Sequence, residues 1–130
     1  GAGWGGNIYT GGVLNITGGT ISGGHYDGYN DPTVDKYDGV NRTVNKVYGG
    51  NIAISSGEMY MSGGVITGGT ATNGGGIYST NEDDSFVYIN GGKITGNTAT
   101  ENGGAIFMEE GFLYIILICI VLRVKTILYP

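Results

Sequence analysis

Apolar residues return along this chain in columns, with polar or aromatic residues between them. Val13-Leu14-Asn15-Ile16, Glu58-Met59-Tyr60-Met61, Phe86-Val87-Tyr88-Ile89 and Phe112-Leu113-Tyr114-Ile115 are four copies of one segment. Leu14, Met59, Val87 and Leu113 are always apolar, as are Ile16, Met61, Ile89 and Ile115. The position between them is Asn15, Tyr60, Tyr88 or Tyr114. Successive side chains on a strand point to opposite faces, so this period of two predicts strands with the invariant apolar columns inside and the mixed columns outside. Two glycine signatures flank the first three copies, and one of them precedes the fourth. Gly-Gly-x-Ile begins at Gly5, Gly49, Gly74 and Gly103 and adds the inward column Ile8, Ile52, Ile77 and Ile106. Gly-Gly-x-Ile-(Ser/Thr)-Gly spans 18–23, 63–68 and 91–96 and adds Ile21, Ile66 and Ile94.

Helices cannot carry this pattern, because glycine costs about 1 kcal/mol at each interior helical position and here it comes in pairs. Four to six residues rich in Ile, Val, Tyr and Thr remain between the pairs, which suits short strands. Such strands bury a core only by stacking on their equivalents in the next repeat. The expected fold is therefore all-β: a right-handed parallel β-helix solenoid of about four rungs, with three short strands per rung and glycine pairs at the corners. A flexible glycine-rich linker is the competing reading, but a linker has no reason to keep isoleucine in phase. Residues 1–115 form the expected array, with an insertion at about 25–46, and 116–130 form an atypical apolar segment.

Gly103-Gly104-Ala105-Ile106, Ile94-Thr95-Gly96-Asn97-Thr98-Ala99 and Gly74-Gly75-Gly76-Ile77-Tyr78 resemble the right-handed parallel β-helix repeats of bacterial surface proteins. These include adhesin-like proteins and the polymorphic outer-membrane-protein type of autotransporter passenger. The resemblance covers roughly 3–24 and 47–115, and the Phe-x-x-Asn element of the outer-membrane-protein repeats is absent in that form. It implies a non-catalytic, extracellular or cell-surface module of structural and adhesive character. The implied partners are a glycan, a host or microbial surface protein, and neighbouring repeats of a longer chain.

Composition narrows the function. The 130 residues carry 6 Lys and Arg against 11 Asp and Glu, a net charge of −5, which disfavours nucleic acid as a partner. One cysteine, Cys119, excludes an intrachain disulfide. The chain starts within a motif at Gly1-Ala2-Gly3-Trp4, which suggests a fragment of a longer array, with Trp4 packed against the end of the stack.

The repeat is interrupted by HYDGYNDPTVDKYDGVNRTVNK at 25–46, rich in turn-forming residues. Loops beyond about 12–15 residues tend to be functional or disordered. Tyr26, Tyr29 and Tyr37 are candidates for glycan or protein contact, and Asp27, Asn30, Asp31 and Asp35 are candidate Ca²⁺ ligands, since hard cations take oxygen donors. The spacing matches no EF-hand loop. A solvated loop explains the same residues, and lone His25 is read as structural or solvated. Asn81-Glu82-Asp83-Asp84 reads as a second outward turn.

On the outside of the stack, Tyr60, Tyr88 and Tyr114 are expected to line up, with Phe86 and Phe112 beside them, as a binding surface or as sheet-stabilising aromatics. Thr70-Ala71-Thr72 and Thr98-Ala99-Thr100 are also in phase, which resembles an ice-binding face, although neighbouring glycines favour a turn there. Phe112 to Leu122 is an apolar run of 11 residues, short of the roughly 20 needed to span a bilayer and followed by Arg123 and Lys125. That tail reads as one or two further strands or as a hydrophobic helix over the open end. Its abrupt composition suggests a reading-frame change. Parallel β-helices also carry polysaccharide lyases and hydrolases, which need carboxylates clustered in a groove. Here the acids lie in loops, and Glu58 and Lys93 stand outward without an evident partner, so the enzymatic alternative is a non-catalytic flank of such an enzyme.

Overall fold

Strand formation follows the two-residue alternation throughout. The computed structural model describes residues 3–25, 47–80 and 85–116, and every regular element among them is a β-strand. A first coil holds β1 (Gly3–Trp4), β2 (Ile8–Thr10), β3 (Val13–Ile16) and β4 (Thr20–Ser22). A second holds β5 (Val47–Tyr48), β6 (Ile52–Ile54), β7 (Glu58–Met61) and β8 (Val65–Thr67). A third holds β9 (Thr70–Asn73), β10 (Ile77–Ser79), β11 (Phe86–Ile89) and β12 (Lys93–Thr95), and a fourth holds β13 (Thr98–Asn102), β14 (Ile106–Met108) and β15 (Phe112–Ile115). Each strand pairs only with its equivalents in adjacent coils, in parallel. The four sheets are β1-β5-β9-β13, β2-β6-β10-β14, β3-β7-β11-β15 and β4-β8-β12, stacked as in a parallel β solenoid.

The expected three strands per rung are thus four. The additional sheet is made of Gly-Trp, Val-Tyr and Thr-Ala-Thr-Asn segments that lack an isoleucine column. Its strands are held by the coil-to-coil backbone ladder and by inward Ala71, aligned with Ala99. The Thr-Ala-Thr segments accordingly form strands, where a turn was expected.

The inward columns are as the alternation predicts. Ile66 aligns with Ile94 and Ile21, Ile77 with Ile52 and Ile106, and Met59 with Val87 and Leu14. Ile16, Ile52, Ile54, Met59, Met61, Ile66, Ile77, Val87 and Ile89 form one buried cluster, with Ile8, Leu14, Ile21, Ile94, Ile106 and Met108 partly buried against it. Each full burial contributes roughly 1.5–3 kcal/mol. Burial is deepest in the middle coils because each layer needs a neighbour on both sides. In the fourth coil Leu113 and Ile115 keep the register but remain 41% and 45% exposed.

Corners keep the ladder intact. Gly5 N donates to Tyr48 O at 2.9 Å, Gly49 N to Asn73 O at 3.0 Å and Gly74 N to Asn102 O at 2.9 Å. At Gly74 the backbone has φ +65°, and an added Cβ would overlap the Ile77 carbonyl, so the corner requires glycine twice over.

A second device closes the corner between the fourth sheet and the first. Asn7 Nδ2 donates to Asn51 Oδ1 (2.7 Å), and Asn51 Nδ2 donates to Asn97 Oδ1 (3.0 Å), forming an amide ladder. Asn51 is fully buried, and it also accepts from Gly24 N (2.9 Å) and donates to Thr67 O (3.0 Å). Asn97 accepts from Gly69 N at 2.9 Å and donates to Ile66 O at 3.0 Å. At Gly76, which takes the place of Asn51 in the third coil, a Cβ would lie 2.5 Å from the Ala105 carbonyl oxygen and 3.0 Å from Asn97 Nδ2, so the close approach of the next coil requires glycine there. A buried amide costs little when its bonds are made, as all four of Asn51's are.

Candidate functional site

The outer face of the β3-β7-β11-β15 sheet gathers the aromatic residues anticipated there. Because the strands are in register, Tyr60, Tyr88 and Tyr114 form one column, and Glu58, Phe86 and Phe112 the column beside it. In the first coil the same positions are Asn15 and Val13. Ring contacts join the coils: Tyr60 to Tyr88 at 6.2 Å, Tyr60 to Phe86 at 5.9 Å and Phe86 to Tyr114 at 5.2 Å. Within coils, Phe86 lies nearly parallel to Tyr88, with an 8° interplanar angle, and Phe112 contacts Tyr114 at 6.5 Å. Phe112 and Tyr114 are 53% and 51% exposed, so the strip is open to solvent.

Glu58 has a partner after all: Tyr60 Oη donates to Glu58 Oε2 at 2.8 Å. That hydrogen bond, with partial desolvation and the carboxylate charge, raises the Tyr60 phenol above its ordinary value. The strip therefore offers ring area, neutral phenolic hydroxyls and one carboxylate, the means for stacking and hydrogen bonding.

A second aromatic cluster had no sign in the sequence. Trp4 stacks on Tyr48 at 4.7 Å and contacts Tyr78 at 5.7 Å and Tyr9 at 6.3 Å. Tyr78 in turn contacts Tyr48 at 4.7 Å and stacks on Phe107 at 5.8 Å. The outward column here is Tyr9, Ala53, Tyr78, Phe107, and small Ala53 leaves space for rings arriving from the first sheet. Trp4 thus joins an outer cluster and does not close the end of the apolar core, a correction to the expected end-packing. Tyr78, only 1% exposed, donates from Oη to Glu109 Oε1. Burial, then that bond, pushes its phenol well above the ordinary tyrosine range. Tyr78 is the packed centre of this cluster, with Trp4 and Tyr9 exposed at its rim, whereas every ring of the Tyr60–Tyr114 strip is at least partly exposed.

Tyr26, Tyr29 and Tyr37, the oxygen donors Asp27, Asn30, Asp31 and Asp35, the turn at 81–84 and the tail from 117 all lie outside the described residues. Among the described residues no three His, Cys, Asp or Glu side chains converge on a point, and no helix is long and apolar enough to cross a membrane. His25 bridges to Thr70 in parallel, marking where the first sheet of the second coil begins before the insertion. The threonine ladder aligns Thr70 with Thr98 but shifts register between Ala99 and Asn102, so it is short and uneven.

The geometry defines an all-β protein of stacked parallel sheets bearing an external aromatic strip. No family model matches the chain, and no curated protein or solved structure is significantly similar to it.

Proposed function

We propose that this chain is a right-handed parallel β-helix module of extracellular or cell-surface, adhesin-like type, non-catalytic, whose outer face contacts a glycan or a surface protein. The observation that carries this reading is the aromatic strip of Tyr60, Phe86, Tyr88, Phe112 and Tyr114 crossing three coils. The strip is out of keeping with the glycine, threonine and asparagine that make up much of the remaining exterior. Large aromatic side chains exposed together, beyond what the core requires, mark contact surfaces. The rigid ladder beneath them holds the rings without further ordering cost on binding. The test is retention of the labelled chain on immobilised microbial and host cell surfaces, with soluble products assayed in parallel. Retention without release of new reducing ends is expected. Release of reducing ends would move the reading to a polysaccharide-processing enzyme, and absence of retention on every surface would remove it.

A further inference from the structure

We infer that the aromatic strip takes a linear, neutral glycan lying along the stacking direction of the coils. This rests on the adhesive reading above and narrows it to one ligand class.

Size decides against a protein on this strip. Coils repeat at about 4.8 Å, and alternate side chains on a strand stand about 6.6 Å apart. Three coils by two columns then cover roughly 15 by 10 Å, about 150 Å², against about 800 Å² per partner in a standard protein interface. Two or three sugar rings fill such an area. A pyranose presents a face of C–H groups to an aromatic ring and hydroxyls at its rim, where the Tyr60, Tyr88 and Tyr114 phenols can exchange hydrogen bonds.

Orientation follows from continuity. The ring contacts run from coil to coil, through Tyr60, Phe86 and Tyr114. Along each strand the strip is only two side chains wide, bounded by the corner glycines Gly57 on one side and Gly91 and Gly92 on the other. A glycan laid down the stack from coil to coil meets rings throughout, whereas one laid along a strand leaves after a single step. Its upper limit is the first coil, where Asn15 and Val13 replace the rings.

Charge selects the class. Glu58 is the ionisable acid of this face, and among the described residues the face carries no Lys or Arg; Lys93 belongs to the outer column of the neighbouring sheet, with Val65 and Thr20. With a net charge of −5 overall, uronate, sulfated or sialylated polymers meet repulsion, and neutral ones do not.

The experiment is depletion of the full chain by insoluble cellulose, chitin and xylan, beside immobilised pectate and heparin at low salt. Calorimetry with neutral oligosaccharides of two to six units follows. Retention on at least one neutral polymer is expected, with affinity rising up to about three units and then levelling, and with little on the acidic polymers. Tyr88→Thr and Tyr114→Thr should each weaken binding about tenfold. Tyr88→Phe should stay within a few-fold, which separates loss of the ring from loss of fold, and Tyr9→Thr in the other cluster should leave binding unchanged. Binding only to pectate or heparin, binding insensitive to Tyr88→Thr, or affinity independent of chain length overturns the inference. Adhesion to cells that protease treatment of their surface abolishes, with no polymer retained, overturns it while leaving the adhesive reading standing. Binding to nothing removes both.

Discussion

Ser79 holds an inward position between Ile54 and Met108 in register, and its hydroxyl is fully buried without a hydrogen-bond partner. An orphaned buried hydroxyl costs about 1–3 kcal/mol, so Ser79→Ala is expected to stabilise the chain by roughly 1 kcal/mol, read from the urea midpoint at constant slope. Tyr78 makes the opposite case, a buried phenol that is satisfied. Its value in the folded chain lies above the 10.0 of a free tyrosine. Below pH 10 both states hold the proton and the contribution is complete. Above it the unfolded chain loses the proton first, so stability falls as pH rises toward the folded value. Urea midpoints at about pH 9 and pH 11 should therefore drop more steeply for the parent than for Tyr78→Phe. Neither residue stood out in the sequence. Ser79 lies two positions beyond the glycine signature, and Tyr78 is defined by rings from three other coils, Trp4 of the first, Tyr48 of the second and Phe107 of the fourth.

At the scale of elements, the residues on either side of 26–46 keep the register of the first sheet. His25 stands at the register position of Thr70, and Tyr48 at that of Asn73. Val47 N donates to Thr72 Oγ1 at 2.9 Å, so Val47 lies beside Thr72. Only the equivalent of Ala71 is then needed to join the two halves. Replacing 26–46 by one alanine should give His-Ala-Val-Tyr against Thr-Ala-Thr-Asn, with an unchanged far-UV spectrum. Stability is expected to rise by up to about 2 kcal/mol through the shorter loop, measured by thermal melting. This sheet is also where the sequence was least legible. Isoleucine columns announced the other three sheets, and the paired glycines announced the corners. The first sheet has two-residue strands in two coils, a split one in the second, and Asn73 and Asn102 joined by their side chains at 2.9 Å where an apolar pair would have shown. The tyrosine column was legible because period two alone places it. The Trp4–Tyr48–Tyr78 cluster was not, because its rings come from two sheets meeting at a corner.

Taken whole, the described residues form a series of layers whose strands pair only with the layer above and the layer below, so stability accrues largely layer by layer. The in-register pairing of Thr98 with Thr70, Lys93 with Val65 and Phe112 with Phe86 means that one edge of a layer offers what the opposite edge accepts. Such an object can be lengthened by copying. A second copy of residues 70–97 placed after Asn97 should lengthen the particle by about 4.8 Å in small-angle scattering and raise its melting temperature. It would also add two rings to the strip, one further Phe86 and one further Tyr88. Gene duplication could then lengthen the reach of such a surface in steps of one layer, with no new contact to invent.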